Sequence, residues 1–336
     1  MGWREKLLGK NLNRQVCFLT SFAMILVVIG HSDITDDYKQ LFIYKWVYGF
    51  HMPLFFFVSG FLFSYTTPKE KLERLDLWHF YNKKIRRLLI PFFIFNTLFF
   101  FVKATLISPE QMQHPVELTC YSFVHYTFFS PIGYLWFLPT LFVLFVVFVP
   151  LIKLFTKIDA YGFQIALLCI GIGGGILSIL LPSIFEINKA FMFSPYFITG
   201  YLYCLDKEVV DVKIKKNADI TLSISLILSI ILLNNWSYVS GFVGILFAVS
   251  LSLMLASLIG DYTVVFSRLT YTIFLLSYIP QMFIRGPIAH WMPVNQYLLS
   301  CLSFVFGLIL PVAIGIFVLL QENSRFWKNV KLIIGL

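Results

Sequence analysis

Residues 16–31 read Val16-Cys-Phe-Leu-Thr-Ser-Phe-Ala-Met-Ile-Leu-Val-Val-Ile-Gly30-His31, and residues 51–63 read His51-Met-Pro-Leu-Phe-Phe-Phe-Val-Ser-Gly-Phe-Leu-Phe63. Each is an apolar run with one ionisable side chain at its edge: His31 closes the first and His51 opens the second. Apolar runs of this kind read as membrane-crossing helices. An ionisable group at the rim of a span, or inside it, is costly unless it has a partner, so it marks a candidate functional site. Two such groups on consecutive spans can share one site.

Composition extends this reading to the whole chain. Hydrophobic residues make up 59% of the 336 and charged residues only 13%, where a soluble domain carries about 25% charge. Mean hydropathy is +0.82. Aromatic residues reach 18%, with 38 phenylalanines, which suits lipid-facing helices with Trp and Tyr near the interfaces. The net charge of +9 then reads as cytoplasmic anchoring, not nucleic-acid binding, because the basic residues fall in alternate connections. The five cysteines are odd in number, contain no CxxC pair and lie mostly in apolar runs, so neither a disulfide framework nor a metal site is expected. The basic start and apolar core up to Gly30 imitate a secretory signal. No small-residue cleavage site follows, only His31-Ser-Asp33, and an uncleaved first helix is expected.

A crossing needs about 20 mostly apolar residues for a core about 30 Å thick. By that measure the sequence predicts an all-α integral membrane protein, a bundle of about ten transmembrane helices in a single domain over residues 1–336. The spans run roughly 15–31, 43–65, 87–107, 133–154, 162–181, 190–205, 218–234, 238–259, 267–284 and 297–320. With the N-terminus cytoplasmic, 21 of the 26 Lys and Arg residues fall on the inside; Lys39, Lys45, Lys103, Lys189 and Arg285 fall outside. That asymmetry predicts an even number of spans and two cytoplasmic termini. No appended soluble domain and no internal repeat is evident. The connection at about 108–132, with Pro109, His114, Pro115, His125 and Pro131, is too polar to span and is expected over the external mouth. Gly171-Ile-Gly-Gly-Gly175 has no strand, lysine or serine to make a phosphate loop and is expected to mediate close helix packing.

Three groups of residues could carry chemistry. His31 and His51 both fall in the external half of the membrane, and an imidazole with a pKa near 6.5 can act as general base toward a hydroxyl. The plainer reading is a pair of histidines hydrogen-bonded to carbonyls that hold two helices in register. Asp33, Asp36 and Asp37 follow His31; they could orient an imidazole or simply be solvated loop carboxylates. The cluster Lys83-Lys84-Ile-Arg86-Arg87 opens the third span from inside. It is explained as a topology signal, yet four cations in five residues also make a phosphate-binding surface suited to a nucleotide or an acyl-CoA. Gly133-Tyr-Leu-Trp-Phe-Leu-Pro139 begins the fourth span, and interface aromatics are its simplest account.

Taken in order, Ile29-Gly-His-Ser32, Phe50-His-Met-Pro-Leu-Phe-Phe-Phe-Val-Ser-Gly-Phe61, Lys84-Ile-Arg-Arg-Leu-Leu-Ile-Pro91, Tyr134-Leu-Trp-Phe-Leu-Pro139 and Pro195-Tyr-Phe-Ile-Thr-Gly-Tyr201 resemble the membrane-bound acyltransferase 3 family. Within it they are closest to the fucose-4-O-acetylase-like, surface-polysaccharide branch. The resemblance implies a multi-pass enzyme of the bacterial inner membrane that moves an acyl group, usually acetyl, from cytoplasmic acetyl-CoA to a hydroxyl of an envelope glycan or its lipid-linked precursor. It implies catalytic roles for His31 and His51 and contact of Arg86 and Arg87 with CoA phosphates, and Lys83 and Lys84 are expected beside them. It also implies close helix approach at Ser59 and Gly60 and matches Trp136 to the aromatic of its fourth-span motif; Asp33 and Trp136 are expected to contact the acceptor. The expected partners are acyl-CoA, a glycan or lipid-linked sugar and membrane lipids, without nucleic acid; a homo-oligomer is open. Two positions depart from the pattern: Thr20 stands where the resemblance expects a cation, and Ser277 where it expects a histidine. A glycan or lipid-linked-sugar exporter on the same scaffold is the principal alternative, and a non-catalytic scaffold in a polysaccharide-synthesis complex is the third.

Overall fold

The structure is a computed structural model that describes residues 13–32, 41–106, 115–232, 238–292, 295–321 and 324–336. The described residues are helical, with short connections. Among the described residues, six helices are long and apolar enough to cross a membrane: Phe42–Thr66, Leu77–Thr105, Phe137–Phe155, Ala160–Leu180, Tyr238–Leu255 and Gln296–Leu320. Counting Asp261–Leu276 and Tyr278–Trp291, bent by 42° at their junction, as one span makes seven. Arg14–Gly30 and Ala218–Ile231 are apolar but shorter.

Every expected span falls on a helix or a helix pair, with three changes of extent. The third starts at Leu77, where Asp76 caps the helix by accepting from the Trp78 N–H at 3.0 Å. The basic cluster therefore lies inside a continuous helix and does not open it. The sixth is split at Phe193 into Ile187–Met192 and Ser194–Leu205. The later piece is 12 residues long, about 18 Å at 1.5 Å per residue. The ninth begins at Asp261 and bends at Ser277.

The chain divides into two compact units. The first comprises Met1–Leu54, Phe101–Leu118 and Lys213–Leu336. Arg14–Gly30 lies inside it, packed against Tyr238–Ile259, Asp261–Leu276 and Gln296–Leu320. Twelve of its 17 residues are buried, which explains why its sequence has no polar face: a helix surrounded by helices is apolar all round. Asn13 starts it by accepting from the Gln15 N–H. Pro53, inside Phe42–Thr66, has no N–H to offer the Gly49 carbonyl four residues earlier. The Ser240 hydroxyl donates to that carbonyl at 3.4 Å, the kind of side-chain repair that makes proline tolerable in a span.

The second unit comprises Phe55–Phe100 and Thr119–Val212. Its helices meet through glycine. A Cβ at Gly60 would lie 1.9 Å from the Phe197 carbonyl oxygen, and one at Gly200 would lie 1.9 Å from that of Phe57. Phe42–Thr66 and Ser194–Leu205 thus touch backbone to backbone, which small residues permit. The Gly171–Gly175 stretch acts similarly: a Cβ at Gly174 would reach 2.4 Å from Ser194 Oγ, and that hydroxyl donates to the Gly171 carbonyl at 3.1 Å. Asn96, buried in the middle of an apolar helix, is satisfied by backbone. Its amide donates to the Tyr126 carbonyl and its oxygen accepts from the Ile132 N–H, fixing the turn that leads to Trp136.

Candidate active site

In the first unit, helix Arg14–Gly30 ends at Gly30 and His31 caps it, its N–H donating to the Val27 carbonyl at 3.1 Å. Gly30 is needed here because a Cβ would press at 3.1 Å on the Tyr48 ring. That close approach brings the histidines together. The His31 and His51 ring centres are 6.4 Å apart at 79°, and Tyr48 lies against both, 6.2 Å from His31 and 4.8 Å from His51. Tyr44 stacks beneath Tyr48 at 4.2 Å.

The two imidazoles differ in setting. His51 is buried, and its Nδ1 lies 2.9 Å from the Val47 carbonyl. A carbonyl can only accept, so Nδ1 carries the proton and Nε2 keeps its lone pair. His31 is half-buried, which leaves it the more accessible of the two. Asp33, Asp36 and Asp37 lie outside the described residues.

A feature the sequence reading missed anchors this corner. Gln281, fully buried, donates from Nε2 to the Val28 carbonyl at 3.0 Å and to Ser32 Oγ at 3.1 Å. Ser32 in turn donates to the Val28 carbonyl at 2.6 Å. The amide so ties Tyr278–Phe283 to the residue that follows His31. Its backbone carbonyl accepts from Arg285 Nε at 3.2 Å. The signal was present in the sequence: a lone amide in an apolar run has to find partners. Of the two departures from the family pattern, Thr20 donates its hydroxyl to the Val16 carbonyl of its own helix. Ser277 is buried at the 42° bend.

In the second unit the basic cluster straddles the end of helix Leu77–Lys84, which carries Lys83 and Lys84, and a π-helical turn, Ile85–Leu89, which carries Arg86 and Arg87 and leads into Ile90–Leu106. Pro91 gives the reason: its ring would clash with the Arg87 carbonyl of a regular helix, and one wide turn relieves this, with the Ile90 N–H bonding to the Ile85 carbonyl. Such turns occur often at functional sites. Lys83, Arg86 and Arg87 are exposed there. Lys84 is not: its Nζ sits 3.5 Å from the centre of the Phe145 ring and 5.1 Å from that of Phe80. The four cations therefore divide into three that present charge and one that packs.

Trp136, at the start of Phe137–Phe155, stacks on Phe193 at 5.9 Å, and Lys189 Nζ lies 4.4 Å from its ring centre. Lys189 also pairs with the buried Glu186 at 2.8 Å. Burial pushes the Glu186 carboxyl upward, and the Lys189 ammonium opposes that. Phe185 and Glu186 both hold left-handed backbone, φ 51° and 60°, strain of the kind that clusters at functional sites.

No curated protein and no solved structure matches this chain. The family comparison does: residues 19–320 match the acyltransferase 3 family's acyltransferase domain. That match takes in both histidines, the basic turn and Trp136. The chain belongs to the acyltransferase 3 family of membrane acyltransferases.

Proposed function

We propose that this protein is a membrane O-acetyltransferase that moves acetyl from cytoplasmic acetyl-CoA to a sugar hydroxyl of a bacterial surface polysaccharide or its lipid-linked precursor. On this reading the chain crosses the inner membrane ten times with both termini inside. The shorter helices and the split sixth segment then count as crossings, a reading supported by the 21-to-5 distribution of Lys and Arg. The observation that carries the reading is the His31–Tyr48–His51 cluster, two imidazoles held together in an apolar setting with one tautomer fixed by the Val47 carbonyl.

The exposed cations of the Ile85–Leu89 turn grip CoA phosphates, with Arg86 and Arg87 as bidentate partners and Lys83 beside them. His31, the more accessible imidazole, takes the proton of the acceptor hydroxyl as its oxygen attacks the thioester carbonyl. The carbon–sulfur bond breaks, the ester carbon–oxygen bond forms, and the proton passes to the departing CoA thiolate. His51, with Nδ1 committed to Val47, presents Nε2 as an acceptor beside His31.

Membranes carrying wild-type or His31→Ala protein, supplied with labelled acetyl-CoA, test this reading. Label should enter the glycan only with the wild type; equal incorporation removes His31 from the chemistry.

A further inference from the structure

The last helix, Arg325–Ile333, reads Arg325-Phe-Trp-Lys-Asn-Val-Lys-Leu-Ile333. Phe326, Val330 and Ile333, spaced i, i+4 and i+7, share one side of it with Trp327, and Arg325 and Lys328 lie on the opposite side. No acidic side chain occurs between Ser324 and Leu336. Ser324 starts the helix by accepting from the Trp327 N–H at 3.4 Å.

The helix is fixed at both ends to span helices of its own unit. Residues 321–324 join it to Gln296–Leu320, a reach of about 14 Å at most. Trp327 packs back on Phe317 of that span, with ring centres 5.9 Å apart, and Lys331 Nζ donates to the Gln321 carbonyl at 3.2 Å. Beyond the helix, the Ile334 carbonyl accepts from Thr272 Oγ1 at 2.9 Å. Gly335 then takes left-handed backbone, φ 81°, where the chain passes so near the Tyr271 ring that no Cβ fits. The short connection and the Trp327–Phe317 contact keep the helix at the end of the span, the level of the headgroups.

The groups left pointing outward have no protein partner to meet. Phe326 is 66% exposed. Arg325 and Lys328 are exposed too, and among the described residues neither has a hydrogen bond or ion pair. Aromatic residues on one side and basic ones on the other, on a helix beside a span, suit a helix that lies in the plane of the interface. There the basic side chains attract net-negative headgroups, and the aromatic ones sit at the acyl boundary.

We propose that Arg325–Ile333 is an interfacial helix that docks on anionic phospholipid, with Phe326 entering the acyl boundary and Arg325 and Lys328 meeting the net-negative headgroups. The inference rests on the chain's membrane location and not on acyl transfer.

The test follows backbone hydrogen exchange over residues 325–333 of the full chain in nanodiscs of phosphatidylcholine or of phosphatidylglycerol. Exchange should be at least about fivefold slower in phosphatidylglycerol, the factor for about one basic residue at an anionic surface, and high salt should shrink the difference. Arg325→Gln combined with Lys328→Gln should abolish the difference and leave exchange in phosphatidylcholine unchanged. Phe326→Asp should speed exchange in both lipids. Wild-type protein that exchanges equally in the two lipids overturns the proposal. So does a double variant that keeps the difference, or a Phe326→Asp protein that exchanges like wild type. Exchange in the span helices of the same samples reports whether a variant has kept its fold; if one has not, the wild-type comparison decides.

Discussion

Two π-helical turns, Ile85–Leu89 in one unit and Ile284–Ile288 in the other, have a proline within or just after them and arginine on them. They put that arginine to different use. The first exposes Arg86 and Arg87, with Lys83 one turn earlier and Lys84 folded onto Phe145. The second half-buries Arg285 against Tyr278 and binds it to the carbonyl of Gln281, whose side chain holds Ser32 next to His31. A widened turn beside proline is thus a way to point cations out of an apolar helix. What surrounds it decides whether the charge stays exposed or is packed against neighbouring side chains. On the proposed reading, the first turn serves a donor that comes and goes from water, while the second serves the packing around His31.

The contrast can be broken at several points. The largest effect is expected at His31: replacing it with alanine should lower transfer by about 10²–10⁴-fold, the range of a general base, with acetyl-CoA binding unchanged in an equilibrium measurement. Next comes the scaffold of the second unit. Gly200→Ala forces a methyl group to within 1.9 Å of the Phe57 carbonyl, and overpacking of this kind costs about 1–3 kcal/mol. Thermal unfolding in detergent should show it, and an unchanged melting temperature would mean that the two helices separate freely. Pro91→Ala removes the cause of the first wide turn; the KM for acetyl-CoA should rise, by less than removal of either arginine raises it.

The smallest effect is a pH dependence. Because the native Glu186 carboxyl is raised, the folded state holds a proton that the unfolded chain has already released, between the ordinary glutamate range and the raised value. Stability from this group is therefore present at low pH and lost as pH rises through the raised value. Glu186→Gln should flatten that part of the stability profile, and a profile identical to wild type would contradict the assignment.

Much of this architecture was legible in the residues. The apolar runs put a helix or helix pair under every expected span, and the resemblance at Gly60 foresaw a contact that admits no Cβ. The histidines were legible because charge in an apolar run has few explanations. What was hidden depended on three-dimensional neighbours. The start of the third helix was missed because Leu77–Lys84 is too polar to read as a span, although Asp76 is an ordinary cap. The division of labour within the basic cluster needed Phe145, 61 residues beyond Lys84, to be visible. Gln281 was not singled out in the residues; its bonds to Val28 and Ser32 place it at the end of the first helix.

The measurement closest to the central claim is the steady-state kinetics of acetyl transfer for two variants of the full protein, read as separate kcat and KM values. Arg86→Gln with Arg87→Gln should raise the KM for acetyl-CoA by about tenfold or more and leave kcat close to wild type. His31→Ala should collapse kcat and leave that KM nearly unchanged. If both variants lower the same parameter, or if the arginine pair leaves KM untouched, the exposed turn does not hold the donor and the division between the two turns is wrong.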